Sequence, residues 1–150
     1  MSGYLLDTNV ISKFAPDKPA PSVALIAWMR EQGAADRLFL SAMTIAEIEK
    51  GIRNLERRGA GEKSARLRQW LEGIVSSFDD CILPMDIAVA RVAGAIEDEA
   101  AGRGRHPGLG DVIIAATAKL HGLTVVTENI RHFEPLDVVV ELPEGSHASE

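Results

Sequence analysis

Residues 4–11 read YLLDTNVI, and this stretch sets the fold class because a short apolar run is followed at once by residues that end strands and cap helices. We predict a strand over Tyr4–Leu6, with Asp7, Thr8 and Asn9 turning the chain into a helix. Prolines between positions 16 and 21 then end that helix. A strand that leads directly into a helix is the repeating unit of α/β proteins.

The same alternation of short apolar runs and amphipathic stretches continues along the rest of the chain. Further strands are predicted at residues 38–40, 81–83, 124–126 and 138–140. Helices are predicted at residues 23–33, from 44 to the glycine at 59, and at 67–78, 89–102 and 112–120. The pattern favours one α/β domain with a central parallel sheet of four or five short strands and helices on both faces. We assign this domain to residues 1–142 and expect residues 143–150 to form an acidic, flexible tail.

Length and composition indicate a soluble protein of one domain. The chain has 150 residues, 46% of them hydrophobic, and a single cysteine, Cys81. One cysteine excludes an internal disulfide and a cysteine-rich zinc site, and it fits a reducing compartment. Because no apolar run approaches the roughly 18 residues that a membrane-spanning helix needs, we expect a cytoplasmic protein that does not bind membranes.

The net charge of −6 argues against broad electrostatic binding of nucleic acid, because contacts to phosphates need lysine and arginine. The cations are, however, unevenly distributed, and six of them fall between residues 53 and 68. Either they form a nucleic-acid surface, or they are solvated helix faces, as most charge runs are.

Three acidic residues are expected where strands lead into helices. Asp7 follows the first predicted strand, Glu47 lies in the first turn after the second, and Asp111 stands at the head of an almost wholly apolar helix. Because parallel strands present their carboxyl ends at one edge of a sheet, these side chains should converge there. Crowded carboxylates resist ionisation unless a cation compensates them, and oxygen ligands alone suit magnesium or manganese.

Each of these residues also has a plain structural explanation. Asp7 could cap a helix, Asp111 could complement a helix dipole, and the segment from Thr44 to Glu47 has the spacing of a capping box. Gly51 likewise has two explanations. A glycine inside a helix costs about 1 kcal/mol relative to alanine, so either a phosphate backbone approaches it or a neighbouring helix packs closely on it.

Four segments together resemble the PIN domains, and within them the VapC-type toxins of toxin–antitoxin pairs. They are YLLDTNVI at 4–11, SAMTIAE at 41–47 with Gly51 behind it, GDVIIAATA at 110–118 and TVVTEN at 124–129. They follow the family's order and cover nearly the whole chain. The resemblance implies a metal-dependent endoribonuclease whose cofactor is Mg²⁺ or Mn²⁺.

The resemblance also assigns roles to residues and implies partners. Asp7, Glu47 and Asp111 would bind the metal and carry catalysis, and Asn9, Thr127 and Asn129 would support the cofactor site. Many members carry a fourth aspartate, at the position of either Asn129 or His132, and this chain has neither. The implied partners are an RNA substrate such as transfer RNA, a cognate antitoxin that occupies the groove, and a second copy of the chain in a homodimer. The apolar stripes of the helix pair between Thr44 and Phe78 are a candidate docking groove for the antitoxin, unless they are simply core.

Three other functions fit the same residues. A PIN-like scaffold would bind RNA or a protein without cutting it, as the missing fourth acid and the negative charge permit. A phosphatase would use Asp7 as a covalent nucleophile, although the usual companion aspartate two residues later is replaced by Asn9. A purely structural domain would explain each capping acid separately, but not the ordered recurrence of acids at strand ends.

Overall fold

A computed structural model describes residues 3–145, which form one α/β unit built on a five-stranded parallel sheet. The spatial order of the strands is β3-β2-β1-β4-β5. All four pairings are parallel, and β1 lies at the centre of the sheet. The strands are β1 (Tyr4–Leu6), β2 (Leu38–Ser41), β3 (Ile82–Leu83), β4 (Thr124–Val126) and β5 (Val140–Glu141).

Helices connect the strands and cover both faces of the sheet. They are α1 (Thr8–Ile11), α2 (Val23–Ala34), α3 (Ala42–Arg57), α4 (Gly61–Phe78), α5 (Ile87–Gly102), α6 (Leu109–His121) and α7 (Ile130–Phe133). Single turns of 3-10 helix follow α1, α4 and α7. Within residues 3–145 no helix is both long and apolar enough to cross a membrane.

Two cores form because successive side chains of a strand point to opposite faces. Leu5 belongs to a core with α5 and α6, whereas the adjacent Leu6 belongs to a core with α1, α3 and α4. Both leucines are fully buried. Helix α6 is buried at every position from Val112 to Ala118, as its continuous apolar sequence predicted. The α/β fold with helices on both faces of a parallel sheet is therefore confirmed.

Several predicted boundaries were wrong by a few residues. Helix α3 begins at Ala42 because the Ser41 side chain caps it by accepting a hydrogen bond from the Met43 backbone N–H. Glu47 therefore lies in the second turn of α3 and not in the first, and the predicted capping box from Thr44 to Glu47 is not formed. Similarly, α6 begins at Leu109, so that Asp111 lies inside its first turn.

Smaller differences affect the edges of the sheet and the tail. Strand β5 lies at Val140–Glu141 instead of 138–140, and Cys81 ends a 3-10 turn before β3. In the predicted tail, Pro143 is buried, and residues 146–150 lie outside the described residues. The flexible tail therefore stays a prediction.

Candidate active site

Asp7 sits where β1 ends and α1 begins. Its backbone N–H still donates to the Val126 carbonyl of β4 at 2.9 Å, and its side chain caps α1. Carboxylate Oδ1 accepts from the Thr8 backbone N–H at 2.8 Å, and Oδ2 accepts from the Thr127 hydroxyl at 2.7 Å. Only 6% of the residue is exposed. Asp7 is thus both a helix cap and a carboxylate held at the carboxyl edge of the sheet.

Thr127 fixes the Asp7 carboxylate from the neighbouring strand. It follows β4 directly, is fully buried, and its backbone N–H donates to the Glu141 carbonyl of β5. Besides donating to Asp7, its hydroxyl accepts from the Asn129 backbone N–H at 2.9 Å and from Asn9 Nδ2 at 3.4 Å. The ends of β1 and β4 are therefore joined through one hydroxyl group.

Glu47 reaches the same edge from α3. The Thr8 hydroxyl donates to Glu47 Oε1 at 2.7 Å and lies 3.0 Å from the Thr44 hydroxyl, which is fully buried. On its other side Glu47 faces the start of α6, since a methyl group at Gly110 would lie 3.3 Å from Glu47 Oε2. Thr8 and Gly110 are the chain neighbours of Asp7 and Asp111, so Glu47 is placed between the two aspartates.

Asp111 points from the first turn of α6 and is paired with a histidine. His132 Nδ1 lies 3.4 Å from Asp111 Oδ2, and His132 comes from α7, the short helix after β4. The histidine side chain is 59% exposed and that of Asp111 29%. An imidazole therefore stands at one of the two positions where a fourth acid was considered.

The pKa values of both aspartates are raised, and the causes describe the site. The pKa of Asp7 is raised mainly by burial; the hydrogen bonds from Thr127 and Thr8 oppose this, and the negative charges of Asp111 and Glu47 add to it. Burial also raises the pKa of Asp111, against the opposing effect of His132. The Asp7 carboxylate is thus repelled by Asp111 and Glu47, and no cationic side chain is among the groups that shift its pKa.

The chemistry of these groups fits a hard divalent cation. The donors are carboxylate oxygens, and a cation would relieve the repulsion that raises the pKa of Asp7. Within residues 3–145, however, no three side chains of aspartate, glutamate, histidine or cysteine are already arranged around one ion position. The convergence of Asp7, Glu47 and Asp111 on one edge is observed, and their sharing of one ion stays a prediction.

The supporting polar residues are distributed less evenly than the resemblance implied. Asn9 contacts Thr127 and accepts from the Glu128 backbone N–H at 3.4 Å. Asn129 takes part through its backbone N–H. The Glu128 carboxylate forms an ion pair with Lys13 at 2.7 Å. Of the candidate supporters, Thr127 has the strongest connection to Asp7.

Sequence reasoning missed the hydroxyl group that positions Glu47. Thr8 was read as a turn residue and Thr44 as part of a capping box, yet the Thr8 hydroxyl donates to Glu47 and lies 3.0 Å from the Thr44 hydroxyl. The position of Thr8, directly after an aspartate at a strand end, was the available signal, because polar groups there face the edge of the sheet. Thr44 gave no comparable signal, since its contact joins residues 36 positions apart.

Two open grooves have Glu47 in their lining. One of them, about 980 Å³, runs along α3, and we call it the α3 groove. A smaller apolar groove of about 230 Å³ lies between α1, α3 and α4. The α3 groove is lined in part by Glu47, Lys50, Gly51, Arg53, Arg57 and Gly110. The apolar groove is lined in part by Asp17, Glu47, Ile52, Leu55, Leu67 and Trp70.

The sequence is similar to one protein family over most of its length. The model of the PIN domain matches residues 4–138. The toxin FitB of Neisseria gonorrhoeae is 39% identical over 93% of this chain and 96% of its own length. The VapC ribonuclease Y4jK of Sinorhizobium fredii is 34% identical over 90% and 94%, and the tRNA(fMet)-specific endonuclease VapC of Shigella flexneri is 32% identical over 89% and 92%.

Solved structures of the same kind share the fold. The crystal structure of FitAcB from Neisseria gonorrhoeae contains a chain that superposes with a TM-score of 0.79 at 39% identity, covering 93% of this chain and 97% of that one. The DNA-bound VapBC of Salmonella typhimurium contains one with a TM-score of 0.78 at 27% identity, covering 94% and 98%. The shared fold thus extends over more than nine tenths of this chain in both cases.

Proposed function

The chain belongs to the PIN-domain family, and from that premise we propose that it is an endoribonuclease toxin of the VapC type that works with Mg²⁺ or Mn²⁺ held by Asp7, Glu47 and Asp111. The observation that carries the site assignment is the environment of Asp7. Its carboxylate is buried, is hydrogen-bonded at both oxygens, and has a pKa raised in part by the charges of the other two acids. Such an arrangement is costly without a cation, and it suits one.

Each protein group has a definite task in this mechanism. Thr127 and the Thr8 backbone N–H fix the Asp7 carboxylate, and the Thr8 hydroxyl fixes Glu47. Asp7, Glu47 and Asp111 would hold the divalent cation, and the chemistry it would supply when bound is the activation of water and stabilisation of the leaving oxygen. The fixed carboxylates keep their orientation while the RNA backbone enters, so little reorganisation is needed during the reaction.

The mechanism is tested by replacing the acids with their isosteric amides. Asp7→Asn and Asp111→Asn should each lower cleavage of an RNA panel by more than about 100-fold, because even residues that only orient metal ligands contribute about 10–100-fold. Wild-type activity should depend on Mg²⁺ or Mn²⁺ and stop in EDTA. Asp98→Asn, a change of an exposed residue on α5, should leave cleavage unchanged.

Two results would refute the mechanism in different ways. Cleavage that survives both amide substitutions in a folded protein would remove the acids from the reaction. Binding of RNA without cleavage under any metal condition would favour the non-catalytic scaffold. Circular dichroism of each variant separates either result from simple unfolding.

For the substrate we propose transfer RNA. The support is similarity to a relative that is named a tRNA(fMet)-specific endonuclease. Mapping the RNA ends after induced expression checks this, and cuts confined to messenger RNA would contradict it. Cleavage inside cells also requires the cytoplasmic location that we propose.

For the protein partner we propose an antitoxin whose apolar segment occupies the groove between α1, α3 and α4. Ile52 and Leu67 are buried in its floor, so they are core, whereas Leu55 and Trp70 remain partly exposed. Glu47 lines the same groove and would attract a basic side chain of the antitoxin, whereas Asp17 is already paired with Lys63 at 3.6 Å and Lys18 adds a positive charge to the lining. Trp70→Ala should weaken inhibition by a co-expressed antitoxin while free-toxin activity persists.

We also propose that the chain forms a homodimer, and light scattering of the purified protein tests this.

A further inference from the structure

The α3 groove carries more positive charge than the overall composition suggests. Lys50, Arg53 and Arg57 line it and are exposed. Lys50 makes no ion pair in the described part of the chain, and Arg57 donates to the neutral Asn54 Oδ1 at 2.9 Å. In a protein of net charge −6, Lys50 and Arg57 therefore leave positive charge unneutralised beside Glu47.

The acid in the middle of this groove is neutralised by two arginines. Glu49 Oε2 lies 3.0 Å from Arg53 Nε and 3.2 Å from Arg68 Nη1. Partial burial alone would raise the pKa of Glu49, but the hydrogen bonds and charges of Arg68 and Arg53 lower it overall. Apart from Glu47 at the catalytic end, the groove therefore offers a cationic surface to an anionic chain.

Gly51 lies between these cations and has no structural reason to be glycine. It is exposed in the interior of α3, and a methyl group added there would meet no atom within 4 Å. The expectation that a neighbouring helix packs closely on Gly51 is therefore wrong. Because Gly51 has no side chain, nothing projects from α3 into the groove next to Glu47.

We propose that the α3 groove is the path of the RNA strand next to the scissile phosphate, with the backbone passing over Gly51 and phosphates paired with Lys50 and Arg57. This rests on the ribonuclease function proposed above and specifies how the substrate is held. The groove has no aromatic lining residue among those described, so the contacts are to phosphates and not stacked bases. Binding along this path is accordingly independent of sequence, and the specificity of cutting arises elsewhere.

The path is tested by binding of a short fluorescein-labelled single-stranded RNA to the full chain in EDTA, where the RNA stays intact. Gly51→Gln places a side chain across the path and should weaken binding roughly tenfold. Its matched control is Gly73→Gln on α4, another exposed helical glycine with no atom within 4 Å of the added methyl. Both should raise the Tm, because glutamine is the better helix former, but only the first should weaken RNA binding.

A second pair of variants tests the charges. Lys50→Gln with Arg57→Gln should weaken binding and lower the slope of log K against log salt by about 0.7 for each lost phosphate contact. The control, Arg91→Gln with Arg105→Gln, removes the same charge from exposed positions outside the groove and should leave the slope near that of the wild type. In cleavage assays the groove variants should raise KM and leave kcat largely unchanged.

Equal RNA affinity of the Gly51→Gln and Gly73→Gln proteins would overturn the path. So would groove variants that change the mass of the protein in solution without changing RNA affinity, because the groove would then be an interface between copies of the chain. In either case cleavage that still requires metal and Asp7 leaves the ribonuclease function standing. Cleavage that is indifferent to Asp7→Asn refutes the function itself, so the two failures are distinguishable.

Discussion

Thr127 is the residue on which the position of the Asp7 carboxylate most depends. Thr127→Val keeps the shape but removes the hydroxyl that donates to Asp7 Oδ2 and accepts from the Asn129 backbone. A buried carboxylate then loses a partner, so the free energy of unfolding should fall by about 1–3 kcal/mol. Affinity for Mn²⁺ should fall by about 10–100-fold, measured by calorimetric titration.

A second buried threonine provides the control for this prediction. Thr117 is equally inaccessible, but its hydroxyl donates only to the Ile113 carbonyl of its own helix, at 2.7 Å. Thr117→Val should therefore leave metal affinity unchanged. If both valine variants bind Mn²⁺ as the wild type does, the hydroxyl of Thr127 does not position a metal ligand.

His132 gives the chain an imidazole beside Asp111 where many relatives were expected to have a carboxylate. His132→Asp adds a hard oxygen donor, so it should bind Mg²⁺ roughly tenfold more tightly than the wild type. Without metal the same change should lower the Tm, because two acids then face each other across about the 3.4 Å now spanned to the histidine.

The histidine prediction has its own matched substitution. His106→Asp makes the same change of charge in an exposed loop and should leave both Mg²⁺ affinity and the metal-free Tm close to wild type. Unchanged Mg²⁺ affinity in His132→Asp would place position 132 outside the metal site. Asn129 would then be the remaining candidate for the position of the fourth acid.

Sequence reasoning found the acids, and the family resemblance named Thr127, but the Thr8 hydroxyl that holds Glu47 was not identified. Asp7 was identifiable because a strand-to-helix transition can be read from an apolar run, and Asp111 because it stands at the head of an almost wholly apolar segment. The expectation that Asp111 follows a strand was wrong, since α6 follows α5 in the chain. The contacts of Thr8 with Glu47 and of Thr127 with Asp7 join residues 39 and 120 positions apart, and no periodicity reports such distances. The pairing of His132 with Asp111 was likewise set by how α7 packs beside α6.

At the scale of elements, the approach of α6 to α3 sets where Glu47 can lie. Gly110→Ala should favour α6 slightly through helix propensity, but its methyl group would lie 3.3 Å from Glu47 Oε2 and 3.5 Å from Met43 Cε. Glu47 must then shift by a few tenths of an ångström. We expect cleavage to fall roughly tenfold with little change in Tm, because small displacements of catalytic groups are costly.

Helix α5 offers the comparison for this substitution. Gly94→Ala adds a methyl group at an exposed helical position where no atom lies within 4 Å. It should raise the free energy of unfolding by up to about 1 kcal/mol and leave cleavage unchanged. Full activity in Gly110→Ala would show that Glu47 tolerates displacement and has no positional role.

Helices and strands were predictable where packing requires apolar residues at regular spacing, but the residues at which they begin and end were not predictable. The stripe that includes Ile48 and Ile52 gave α3, but its start depends on the Ser41 cap, which the apolar period does not include. For β5, three consecutive valines gave no register. The register is set by pairing with β4, where Val125 faces Val140 and Val126 faces Glu141.

At the scale of the whole molecule, the acidic edge should make metal-free stability fall as the pH rises. The folded-state pKa values of Asp7 and Asp111 lie above the ordinary 3.8, which also describes the unfolded chain. Between the two values the folded protein binds more protons than the unfolded one. The stabilisation from these groups is therefore complete below 3.8 and is lost as the pH rises through the folded-state values.

Bound metal should reverse this dependence, because cations compete with protons for the same carboxylates. The difference between the Tm in saturating Mg²⁺ or Mn²⁺ and the Tm in EDTA should be small in acid and grow towards neutral pH; at 100 times the dissociation constant it corresponds to about 2.7 kcal/mol. In Asp7→Asn the difference should shrink at every pH, while the metal-free protein becomes more stable at neutral pH than the wild type. Scanning calorimetry across the pH range checks both trends. A metal-induced rise in Tm that persists in Asp7→Asn and Asp111→Asn would mean that the ion binds elsewhere, and the repulsion of Asp7 by the other two acids would then need another explanation.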